Sequence, residues 1–218
     1  KADFLFVTFG TAWVYQLRET RRIVANCHKM PEKQFHRFRL SSCDIVDEFN
    51  QLIRHLKELN PNLKIIFTIS PVRHLRDGAT ENQLSKAVLM LAVHELVAMH
   101  SHCSYFSSYE IVMDDLRDYR FYADDMVHLS KPAIEYVFKR FSETYFSPTT
   151  TAMLSRVQKI RQALMHRPFN EQSAEYLLFL QKTGTQIRQL ASQVETMDWS
   201  RELEELDKRI DAISRGKM

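Results

Sequence analysis

The chain has 218 residues, 44% hydrophobic and 26% charged, a balance that builds one sizeable core with an appendage and excludes wholesale disorder. Its 30 Lys and Arg against 27 Asp and Glu leave a net charge of +3 with no basic run, so nucleic acid is not the favoured partner. No apolar run reaches the roughly 18 residues that span a bilayer, and Cys27, Cys43 and Cys103 stand at no metal-ligand spacing and cannot complete a disulfide framework, which fits a reducing, cytoplasmic setting.

The chain starts without Met and runs from Lys1 straight into an apolar stretch, which reads as a start inside a domain. Phe4 to Phe9, ended by Gly10, and Lys64 to Ser70, ended by Pro71, are continuous apolar and β-branched runs of the kind found in a parallel sheet buried on both faces. Between them Ile45, Phe49, Leu52, Ile53, Leu56 and Leu59 recur at helical spacing, and Ser41 with Asp44 resembles a capping box at the helix start. A second helix is predicted over Glu81 to Met99, with Leu84, Val88, Leu91 and Leu96 on its apolar face, and a short strand follows near Tyr105 and Phe106. The alternation of strand and helix predicts an α/β layer fold. A helix from Ala133 to Tyr145, with Tyr136, Val137 and Phe141 inward, closes the layer.

Beyond Ser147 and Pro148 only helical periodicity remains. Ile187, Leu190, Val194 and Met197 step by three and four residues, as do Leu203, Leu206, Ile210 and Ile213 after a break at Asp198, Trp199 and Ser200. This helical tail either packs back on its own domain or forms the seam of a homo-oligomer.

In an open parallel sheet the ligand crevice lies outside the carboxyl ends of the strands. Three segments qualify: Gly10 to Trp13, Pro71 to His74, and the polar stretch from Tyr109 to Ser130. The last contains Asp125 and His128, spaced so that the carboxylate reaches the imidazole within one turn. A carboxylate on Nδ1–H fixes the tautomer and stabilises the imidazolium formed when Nε2 takes a proton. The alternative is a solvated loop pair. Arg73 and His74 at a strand end could bind a carboxylate or sugar hydroxyls, or simply be solvated. Trp13, Tyr119, Phe121 and Tyr122 could stack on a sugar ring or serve as packing.

The Asp-x-x-His pair ahead of a final helix resembles the last block of the SGNH (GDSL-like) esterases. More closely, Phe67 to His74, Val24 to Lys29 and Leu116 to Ala123 resemble the bacterial GSCFA domain family of that superfamily, over about residues 1–146, with residues 147–218 as a helical extension outside the match. The resemblance implies the C-terminal part of a flavodoxin-like three-layer α/β/α fold. It also implies ester hydrolysis by a serine nucleophile, with His128 as base and Asp125 as orienter, and no metal or organic cofactor. The Gly-Ser-Cys-Phe-Ala motif expected to carry the serine is not in these residues, which places it upstream.

Thr8 to Trp13 stands where many relatives read Gly-x-Asn-Asp, and Ala12 has no side-chain donor for an oxyanion. Asn26 is then either a substitute donor or a turn residue, or backbone N–H groups alone serve, beside Gly10. Leu129 departs from the proline common after the histidine. The implied substrate is a small ester, by superfamily analogy an acylated carbohydrate. Two rivals stand beside this reading: a non-catalytic glycan- or peptide-binding or assembly module, and a thiol nucleophile at Cys27 beside His28.

Overall fold

The computed structural model describes residues 2–24, 26–27, 29–194 and 196–215, and the chain divides into two compact units, Lys1–Glu143 and Thr144–Met218. In the first, the two apolar runs form β1 (Phe4–Phe9) and β5 (Lys64–Ile69), which pair in parallel with β6 (Cys103–Phe106) in the order β1-β5-β6. Because strand side chains alternate, Leu5, Val7, Phe9, Ile65, Phe67, Ile69 and Cys103 share one face, and α1 (Ser42–Leu59) and α2 (Ala79–Met99) cover it. On the other face Phe6 and Phe106 meet Phe141 of α3 (Lys131–Tyr145), ring centroids 5.5 and 5.2 Å apart. Helices on both faces make the expected α/β layers.

Helix α1 starts where the sequence predicts. Ser41 accepts from the Asp44 backbone N–H while Asp44 accepts from the Ser41 backbone N–H, a complete capping box. Its buried residues are Ile45, Val46 and Ile53, while Leu52 and Leu59 are exposed. In α2 the expected face is displaced. Leu84 and Leu91 are exposed, and the helix buries Asn82, Ser85, Lys86, Leu89, Ala92, Val93 and Leu96. The displacement has a physical cause: the carboxyl-terminal part of α2 packs on the apolar sheet, whereas its first turns lie under polar strand ends, so the buried face changes character along the helix.

One element has no counterpart in the sequence expectations. Between β1 and α1 the strands β2 (Trp13–Leu17), β3 (Ile23–Val24) and β4 (Phe35–Arg39) form an antiparallel sheet in the order β3-β2-β4. Register pairs Trp13 with Arg39 and Tyr15 with Arg37 on one face, and Val14 with Phe38 on the other. Arg37 lies over the Trp13 ring at 4.5 Å and makes a two-oxygen pair with Asp77, Arg39 pairs with Glu81, and Arg76 pairs with Glu32. These contacts fasten the small sheet to the segment after β5 and to the start of α2.

The second unit is built from α4 (Pro148–Met165), α5 (Ala174–Ala191) and α6 (Ser200–Arg215). Ser147 and Ser173 cap α4 and α5, and the Asp198 side chain accepts from the Ser200 N–H at the start of α6. Ile187, Leu190, Leu206 and Ile213 of the predicted stripes are buried together with Ile160, Tyr176, Leu180 and Trp199. The tail therefore has its own core, and α5 ends at Ala191, before Val194 and Met197. The four side chains are buried against helices of their own protomer.

Candidate active site

Of the three segments proposed for the crevice, two are joined beneath by one buried cation. Lys86, 1% exposed, donates from Nζ to the Gly10 carbonyl at 2.6 Å and the Ser70 carbonyl at 2.5 Å, tying the carboxyl ends of β1 and β5. Burial pushes its pKa down to about 8. Ser85, one residue earlier, accepts from the Ala12 backbone N–H at 2.7 Å and bonds Thr11. The Ala12 N–H is thereby occupied, which takes it out of the set of backbone groups proposed for an oxyanion. Sequence reasoning missed both residues, since a lysine amid α2 reads as solvent-facing.

At Gly10 the approach is close: a Cβ there would stand 3.3 Å from His74 Nε2, so the imidazole would have to give by a few tenths of an ångström. The His74 backbone N–H donates to Asn82, and burial followed by the Lys86 charge holds the imidazole below its ordinary pKa. His74 thus abuts the strand end at Gly10 while staying exposed, with its neutral form favoured. Asn26 lies in the exposed loop after β3, on the antiparallel sheet and not after a strand of the parallel one. His28, the partner considered for Cys27, lies outside the described residues. Trp13 is covered by Arg37, which makes its ring packing for the small sheet.

The third segment presents the Asp125 and His128 pair. Tyr122 and Leu129 form an antiparallel bridge, the Ala123 N–H donates to the His128 carbonyl at 2.8 Å, and the Ser130 N–H donates to that of Phe121 at 2.9 Å. Within this tight turn Met126 takes φ 58°, an uncommon conformation for a side chain of its size and the kind of local strain that collects at functional sites. Asp125 Oδ1 accepts the backbone N–H groups of Val127 and His128, both at 2.9 Å. Oδ2 accepts from His128 Nδ1 at 2.6 Å. The His128 hydrogen bond first, and the two backbone donors after it, lower the Asp125 pKa to about 2. An ionised carboxylate only accepts, so Nδ1 carries the proton and Nε2 of the neutral ring is left with its lone pair.

Arg73 connects this turn to β5. Its Nη2 donates to Tyr122 Oη at 3.1 Å, and its guanidinium carbon lies 4.4 Å from the Tyr122 ring centroid. Arg73, Tyr122 and the turn bearing His128 are therefore brought together at the carboxyl ends of β5 and β6. Among the described residues, no Ser, Thr or Cys side chain is hydrogen-bonded to His128 Nε2.

Comparison with curated proteins and comparison with solved structures each gave no match. The model described as the GSCFA family matches residues 1–141, and that of the GSCFA domain protein, C-terminal domain, matches residues 157–212. The first match runs through every strand among the described residues and the turn that carries Asp125 and His128, and on it the chain belongs to the GSCFA family.

Proposed function

We propose that this domain is an ester hydrolase of the SGNH type, in which the β1-β5-β6 sheet is the carboxyl-terminal part of the layer. The observation that carries the reading is the 2.6 Å contact between Asp125 and His128, which leaves Nε2 as a base just beyond the last strand. A serine of the Gly-Ser-Cys-Phe-Ala motif, outside these 218 residues, attacks the acyl carbonyl as His128 Nε2 takes its proton. The tetrahedral intermediate collapses when the imidazolium gives that proton to the leaving alcohol, and water then repeats the sequence on the acyl-enzyme. Asp125 holds the tautomer throughout. Lys86 supports the same site by fixing two strand ends.

The test is hydrolysis of a small acyl ester by the full-length protein. His128→Ala should lower kcat by several orders of magnitude, and Asp125→Asn by a large factor through a wrongly held imidazole, both with unchanged circular dichroism. Both side chains are about half or more exposed, so neither change removes core packing. Full activity in a folded His128→Ala protein would refute the assignment, and absence of any serine within reach of Nε2 would favour the binding-module alternative.

A further inference from the structure

Arg73 differs from the arginines around it. Arg37, Arg39 and Arg76 each hold a carboxylate, and so do Arg117 and Arg120 on the neighbouring segment. Among the described residues Arg73 has no such partner, and its one hydrogen bond is to Tyr122 Oη. A guanidinium presents five N–H donors in one plane. Tyr122 thus holds the group by both its ring and its hydroxyl, while the remaining donors stay without a protein acceptor among the described residues.

Those donors border space. Arg73 lines a cleft of about 350 Å³ with Pro71, Asn82 and Tyr109, and a second of about 380 Å³ with Arg117, Tyr119 and Tyr122. Met113 lines both, so the two clefts adjoin at Arg73. Each is within the size range of small-molecule sites. Tyr119 is 65% exposed, with its ring 6.3 Å from that of Tyr122, and offers an apolar platform at the mouth. A guanidinium with unpaired donors suits a carboxylate bound through two oxygens, and the exposed Tyr119 ring suits the C–H face of a sugar ring.

We propose that Arg73 is the carboxylate-binding centre of a subsite for an acidic sugar, a uronic acid residue of the saccharide that carries the ester. As a statement of substrate class it rests on the hydrolase reading. The subsite itself does not, and it lies beside the proposed base because Tyr122 both supports Arg73 and bridges to Leu129 in the His128 turn.

The experiment is calorimetric titration of the full-length protein with an unesterified galacturonate trisaccharide and with the neutral galactose trisaccharide. The acidic ligand should bind at least tenfold more tightly. Arg73→Gln should erase that preference, and Arg73→Lys should restore only part of it, because an ammonium lacks the planar fork. Tyr119→Ala, a change at an exposed side chain that leaves folding intact, should weaken both ligands by several-fold. Equal binding of the two sugars, or a folded Arg73→Gln protein that keeps the preference, overturns the proposal, and so does unchanged binding by Tyr119→Ala. His128→Ala should bind the acidic ligand as wild type does. Acidic binding without any ester hydrolysis would sink the hydrolase and leave the subsite standing, whereas hydrolysis without acid preference would do the reverse.

Discussion

Two titrating side chains give the crevice pH signatures in separate windows, one acidic and one alkaline. Asp125 has its folded pKa lowered to about 2, so its grip on His128 is complete above the ordinary carboxylate range and is lost only as pH falls through about 2. Asp125 therefore stays ionised above about pH 4 and adds no proton of its own to the acid limb of a rate profile there. Lys86 acts in an alkaline window, because burial disfavours its charged form. From about pH 8 upward the folded state gives up the Lys86 proton, while the unfolded chain keeps it to near the ordinary lysine pKa of 10.5. Over that window the unfolded state binds more protons, so wild-type stability rises with pH relative to Lys86→Met, by on the order of 1 kcal/mol per pH unit. Urea unfolding of both proteins from pH 7 to pH 10 measures the difference, in which common terms such as the raised pKa of Tyr109 cancel. A flat difference would mean that Lys86 keeps its proton on the Gly10 and Ser70 carbonyls.

At the scale of elements, the small antiparallel sheet is held less by apolar area than by its cations. Arg37 and Asp77 are both largely buried, about a fifth exposed or less, and Arg37 is wedged over Trp13. The Arg37 hydrogen bond holds the Asp77 carboxyl below the usual carboxylate range, so this contribution is present above that range and is lost as pH falls below it. Asp77→Asn keeps the shape and removes the charge, leaving Arg37 partly buried without its counter-ion, and should cost about 2 kcal/mol in urea unfolding at neutral pH. A cost within about 0.5 kcal/mol would show that the pair is screened like a surface one. The same charges explain why this sheet was illegible in the sequence. Phe35 to Arg39 alternates aromatics with His and Arg, and its inward face is completed by Asp77 and Glu81, some 40 residues away. The parallel strands were legible because their burial on both faces writes an unbroken apolar run. The Asp125 and His128 pair was legible from its spacing, since it is made within one turn. Lys86 was not, because its partners are backbone carbonyls that any sequence supplies.

For the whole molecule, the question raised by the apolar stripes of the tail is whether they serve one chain or two. Ile187 and Leu190 are 0% exposed, Leu206 2% and Ile213 4%, all within one protomer's helices. The approach of α5 to α6 is close enough that a Cβ on Gly184 would stand 3.1 Å from Leu206 Cδ2, so the two helices come close there. The periodicity in the sequence reports burial of these positions, and it does not say by which chain, which is why both packing and a seam were open from the residues alone. A charge at Leu206 separates them. If the stripe were an intermolecular seam, Leu206→Asp would lower the molecular mass and leave the helices formed. Because Leu206 lies in the bundle's own core, the same change buries an unpaired carboxylate and should melt α5 and α6 in place. The expected result is loss of helical ellipticity and of amide protection over 174–215, with the mass from light scattering at or above the wild-type value. Dissociation to a smaller species with full helicity would instead assign the stripe to an interface between copies.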